Sequence, residues 1–212
     1  MSRPIDIIRC FHTAFRRDMS QIDTIVNRTA REGGNFAPAL ERLHMMNELL
    51  DYHARGEEAA VFPAMDKLIP QLATPYLLDH RELDIMVDGL EKMRQNPDPL
   101  VTARATAVLD SFLRIHLNKE DAHLYPILKE RTTDDEQVAI GVLLAKSVPN
   151  DRFPTLIQWL FPLLNLEDQV FVARGWVKVL PPQALPRIRL LIQRAVAGNW
   201  VKLIQLVPEL EH

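Results

Sequence analysis

Apolar residues recur at steps of three and four along the first 130 or so residues, in four runs divided by turn signals. The first run, about 4–31, puts Ile5, Ile8, His12, Phe15, Met19, Ile22 and Val26 on one face, and Gly33-Gly34-Asn35 ends it. The second, about 36–65, carries Leu43, Met46, Leu50, His53, Glu57, Ala60 and Val61. The third, about 71–95, carries Leu77, His80, Leu83, Val87 and Leu90, and Asn96-Pro97-Asp98-Pro99 breaks it. The fourth, about 100–129, carries Ala105, Val108, Leu109, Phe112, His116, Glu120 and Ile127. Four amphipathic helices with short connections predict an all-α fold, an antiparallel up-down-up-down four-helix bundle over residues 1–131.

The texture changes after that. Thr133-Asp134-Asp135-Glu136 reads as a helix start. Prolines at 149, 154, 162, 181, 182, 186 and 208 then cut the chain into short pieces rich in bulky apolar residues, among them Trp159, Phe161, Trp176 and Trp200. Residues 132–209 are expected to form a C-terminal extension of three to five short helices that packs on the bundle or on a second subunit. Leu210-Glu211-His212 reads as a tag remnant, which removes His212 from the candidate chemistry.

The informative anomaly is polar residues in seats that the periodicity reserves for leucine. His53-xxx-Glu57-Glu58-xxx-Phe62-Pro63 returns 63 residues later as His116-xxx-Glu120-Asp121-xxx-Tyr125-Pro126. Residues four apart share a helix face, so each His and Glu of a pair can address one point. With His12 and His80, each helix offers one inward His, and the second and fourth add a Glu. Uncompensated, that many buried ionisable groups would cost several kcal/mol each. Imidazole with carboxylate is the ligand set of iron, manganese or zinc, and six ligands point to two metals, since one zinc needs only four. Each proline marks where its helix ends or bends.

Composition narrows the classes. A net charge of −3 over 212 residues gives no electrostatic case for nucleic acid or an acidic membrane surface. No apolar run reaches the ~18 residues of a membrane span, and the N-terminus is too charged for a signal peptide. The single Cys10 excludes an internal disulfide framework and a cysteine-rich zinc site. A cytoplasmic location is expected, with Cys10 a buried, inert thiol.

His12, His53-xxx-Glu57, His80 and His116-xxx-Glu120, with their Glu-Glu/Glu-Asp and Phe-Pro/Tyr-Pro tails, resemble the haemerythrin-like (HHE cation-binding) family over roughly residues 5–130. The resemblance is to the branch with four His and two Glu. It implies a non-haem di-iron centre with a bridging oxo or hydroxo group, manganese and zinc being the alternatives, and reactivity with dioxygen, peroxide or nitric oxide. In the oxygen-carrying haemerythrins a second His lies four residues after the third-helix one; here that place is Asp84. Reversible oxygen carriage is therefore disfavoured. Three functions stay open: a catalase-like or other di-iron oxidoreductase in stress defence, a non-catalytic sensor or binder of dioxygen, nitric oxide or iron, and an oxygenase acting on an organic substrate. The extension could serve a homodimer or a protein partner. Candidates for the layer around the ligands are Asp84, Glu58, Asp121, His123, Tyr52 and Tyr125, the two tyrosines being expected to act mainly in packing; His44 is read as surface.

Overall fold

Pro4 opens a single 3-10 turn, Pro4–Asp6, that leads into α1 (Ile7–Glu32). The structure, a computed structural model, describes residues 3–180 and 182–211, and among these every regular element is helical. Helix α1 ends where Gly33 takes φ +78°, a left-handed value that only glycine adopts without strain. The Asn35 side chain then accepts from the amide of Ala37, the first residue of α2 (Ala37–Gly56).

Pro63 and Pro126 bend their helices rather than stop them. After α2 comes a π-turn, Glu57–Val61, and then α3 (Phe62–Leu68). After α4 (Thr74–Met93) and α5 (Pro99–Lys119) comes a second π-turn, Glu120–Leu124, and then α6 (Tyr125–Arg131). In both, the amide of the aromatic residue reaches five residues back, Phe62 to the Glu57 carbonyl and Tyr125 to the Glu120 carbonyl. The extra residue in the turn absorbs the helix bond that each following proline cannot make.

Helices α1 and α4 each pack against both α2 and α5, closing a ring of four. The inward stripes read from α1 and α2 are buried throughout. On the other two runs Val87, Ala105, Phe112 and Ile127 are only half-buried, and two expected core positions are exposed: Leu77 at 37% and Val108 at 54%. The inward face of α4 is set instead by Tyr76, His80 and Leu83, and that of α5 by Thr102, Thr106, Leu109 and Leu113. Val108 and Leu109 lie ~100° apart around a helix, so one of them must turn out.

Among the described residues the extension holds five α-helices: α7 (Asp134–Ala145), α8 (Phe153–Leu163), α9 (Leu166–Val179), α10 (Leu185–Ala195) and α11 (Trp200–Leu206). Thr133 caps α7 as expected, in a capping box with Glu136. Helices α8 and α9 pack on α1, α7 packs on α2, and one hydrophobic cluster runs from Phe15 and Met19 through Trp159 and Phe161 to Leu203 and Leu210. The last expected tag residue, His212, lies outside the described residues. No helix among them is long and apolar enough to cross a membrane.

Helix α7 also leans on the first π-turn and on Gly56, the last residue of α2. A Cβ there would lie 2.9 Å from Leu144 Cγ and 3.0 Å from the Leu144 carbonyl. Gly56→Ala is therefore expected to lower stability by about 1–3 kcal/mol, the overpacking outweighing the helix-propensity gain. Gly89→Ala, where nothing lies within 4 Å, should instead raise it by about 0.5–1 kcal/mol. Thermal melts of the pair check both signs.

Candidate metal centre

His12 comes from α1, His53 from the end of α2, His80 from α4 and His116 from the end of α5. Glu57 and Glu120 are the first residues of the two π-turns. The structure brings all six together, none more than 5% exposed. They form two overlapping clusters, His12, His53, Glu57 and Glu120, and His80, His116, Glu57 and Glu120, with the candidate ligand atoms of each within 4.8 Å of one another. The carboxylates lie between the His pairs. Glu57 Oε1 is 3.3 Å from His53 Nε2 and 3.8 Å from His12 Nε2, while its Oε2 is 3.4 Å from His80 Nε2. Glu120 mirrors this: Oε2 lies 3.5 Å from His12 Nε2 and Oε1 3.3 Å from His116 Nε2.

Outer carboxylates aim three of the imidazoles. Asp121 Oδ1 lies 2.8 Å from His12 Nδ1, Glu58 Oε1 lies 3.1 Å from His80 Nδ1, and Asp79 Oδ2 lies 3.2 Å from His116 Nδ1. The network assigns the Nδ1–H tautomer to each of these rings, which turns the Nε2 lone pair inward. Each outer carboxylate is in turn paired with a cation: Asp121 with Arg16, Glu58 with Arg81, Asp79 with Lys119.

The interior set is thus almost all acceptors facing one another. Glu57 Oε2 and both oxygens of Glu120 are buried without a hydrogen-bond partner. Buried polar atoms are nearly always satisfied, so three orphans at one point are what a cation would relieve. The comparison of sequences agrees. Residues 3–128 match the hemerythrin HHE cation binding domain. The chain belongs to that family.

The curated relatives of this HHE chain include three zinc finger proteins of Arabidopsis thaliana. A BRUTUS-like protein is 22% identical over 93% of this chain, and BRUTUS itself is 22% identical over 68%. A second BRUTUS-like protein is 22% identical over 80%. The HHE chain spans only 16%, 12% and 14% of their respective lengths. No solved structure is a significant match.

Electrostatics at the HHE centre follow from burial against pairing. Burial alone would raise Glu57, but the charge of His53 and the close approach of the His12, His53 and His80 imidazoles hold its carboxyl well below the usual range. Burial pushes Glu120 well above that range, and the charges of Glu57, Asp121 and Asp79 add to it. Without a cation, ionising both carboxylates of this buried pair is disfavoured. Burial lowers His53, and it brings His116 down to about 4. For His12 and His80 burial acts downward but is outweighed, at His12 by Asp121 and Glu57 and at His80 by Glu57 and Glu58, leaving both raised.

Of the other sequence candidates, Glu58 and Asp121 hold the His80 and His12 imidazoles, and Tyr125 does more than pack: its hydroxyl donates to Glu57 Oε1. Tyr52 donates to Glu48 at 2.7 Å, away from the centre. Asp84 is exposed and paired with Arg81, and His123 is exposed, because the π-turn rotates it outward. His44 is on the surface with Glu91. Asp79 escaped the sequence reading. It follows no repeat, and only its position beside His80 hinted at it.

Cys10 is buried, with Asp168 Oδ1 3.9 Å from its sulfur. Burial, reinforced by the Asp168 charge, pushes the thiol from 9.0 up to about 12. An acid whose folded value is raised stabilises the fold below its unfolded value and loses that contribution as pH rises to the folded one. Native protein should thus resist alkylation at pH 8, and stability should fall between pH 9 and about 12 less steeply in Cys10→Ala than in the unaltered chain. Thiol titration and urea melts across that range check it.

Proposed function

We propose that this chain is a non-haem di-iron protein in which His12 and His53 hold one iron, His80 and His116 hold the other, and Glu57 and Glu120 serve both. The observation that carries this is the pair of buried clusters with both carboxylates in common, each carboxylate turning a different oxygen toward each His pair. An antiparallel up-down-up-down four-helix bundle is the frame we infer, supported by the ring of contacts among α1, α2, α4 and α5.

When bound, two irons would supply Lewis acidity and one-electron redox capacity toward dioxygen, peroxide or nitric oxide. The protein's own residues govern access and protonation. The Phe62 ring stacks on His80 and the Phe11 ring on His53, walling the centre with apolar surface. The Tyr125 hydroxyl, which burial pushes well above its ordinary value, keeps its proton and donates it to Glu57 Oε1. Near-complete burial of all six ligands favours small oxidants over an organic substrate. The activity we favour is peroxide disproportionation in stress defence; a sensor of the same small molecules is the second reading, since the α7 contact with the Glu57 turn could report occupancy to a partner.

The test is elemental analysis of iron-loaded protein with a visible spectrum and an oxygen electrode. Two irons per chain and oxygen evolved from added peroxide are expected. Two irons with no oxygen evolved would remove the catalytic reading, and no bound iron would remove both.

A further inference from the structure

The two halves of the site are related by a pseudo-repeat. His12, His53, Glu57 and Glu58 correspond to His80, His116, Glu120 and Asp121. Glu58 reaches across to aim His80, and Asp121 reaches back to aim His12, so that exchange is symmetric. The correspondence fails in two places. The residue before His80 is Asp79, which accepts from His116 and is itself held by Lys119. The residue before His12 is Phe11, whose ring lies at 12° to that of His53 with centroids 6.3 Å apart. Among the described residues no carboxylate other than Glu57 lies within salt-bridge range of His53. The second break is at the aromatic before each proline. Tyr125 donates to Glu57 Oε1, the oxygen that faces His12 and His53. Its counterpart is Phe62, which has no hydroxyl, and both Glu120 oxygens are left without a donor.

Both breaks act in one direction. A carboxylate on the far nitrogen of an imidazole raises its basicity toward a metal and fixes its orientation. A hydroxyl donating to a carboxylate oxygen withdraws electron density from that oxygen. We propose, resting on the two-metal reading above, that the positions are inequivalent: the one between His80 and His116 is the tight site, and the one between His12 and His53 is the weak, exchangeable site. Asp79 is the positioning residue for the first, and Phe11 and Tyr125 keep the second weak.

The experiment is titration of metal-free protein with cobalt(II) against a chromophoric chelator, reading the cobalt visible bands. Two steps are expected, separated by on the order of 10–100-fold in Kd, the range over which loss of an outer partner weakens a metal site. His53→Ala should remove the weak step alone and His116→Ala should remove or weaken the tight one. Asp79→Asn should weaken the tight step on the order of 10–100-fold, so that the two steps merge, with Asp79→Glu recovering part of the gap. Tyr125→Phe, which copies the Phe62 half, should tighten the weak step. A purely structural role for Asp79 would shift the melting temperature of metal-free Asp79→Asn and move both cobalt steps together, and that result overturns the proposal. So do two indistinguishable steps in the unaltered chain. Binding of one cobalt or none would instead overturn the two-metal reading, and this inference with it.

Discussion

Glu57→Ala or Glu120→Ala is expected to cost the chain at least one metal ion per molecule, measured by elemental analysis after iron loading. Each carboxylate belongs to both candidate clusters, so on the proposed two-metal reading removing either one would leave each position a ligand short. On the metal-free protein the two substitutions should act in opposite directions. There Glu57 and Glu120 confront one another at the centre of the helices, with three of their four oxygens lacking a hydrogen-bond partner. Glu120→Ala removes a desolvated carboxylate with no hydrogen-bond partner and should stabilise the metal-free fold by about 1–3 kcal/mol, less whatever the cavity costs. Glu57→Ala should destabilise it instead, because it strands the buried Tyr125 hydroxyl that donates to Glu57 Oε1. A melt series with and without iron separates the two effects. Metal content unchanged in both variants would remove these residues from the site.

The second large effect lies outside the centre. Asp18 is fully buried; Oδ1 accepts from Arg42 Nε at 2.6 Å and Oδ2 from Trp159 Nε1 at 2.6 Å. It joins α1 to α2 and to α8 of the extension, while the Phe15 ring packs on Trp159 with centroids 4.7 Å apart. Asp18→Ala strands the Trp159 N–H and one face of Arg42, and should destabilise by about 3 kcal/mol. Asp18→Asn keeps an acceptor for one of the two donors and should lose about half as much. Urea unfolding followed by tryptophan fluorescence measures both, and a change below ~0.5 kcal/mol for alanine would mean the junction does not hold the extension in place.

How much of this was legible in the sequence depends on whether the signal was periodic. The six central residues stood out because each interrupts an apolar stripe, and two of the pairs repeat with their tails. Glu58 and Asp121 could be named because they ride in that repeat. Asp79 could not, because its partner His116 lies 37 residues away and nothing recurs at its counterpart, Phe11. The π-turns were invisible for a related reason. Proline announces a disturbed helix but not whether the chain stops or inserts a residue, and the inserted residue is what carries His123 outward. Leu77 and Val108 were misassigned because a stripe fixes a helix face only to within one position, and tertiary contacts choose between neighbours. The helical character of the extension was readable from Thr133-Asp134-Asp135-Glu136 and the prolines; that its aromatics share a cluster with Phe15 and Met19 was not, because the sequence carries no register between α1 and α8.

Gly56 sits beside Glu57, and its missing side chain lets Leu144 touch the backbone that carries the carboxylate. Any free energy by which occupancy of the interior shifts the seating of α7 would return in equal measure from α7 to the interior, since such coupling is reciprocal.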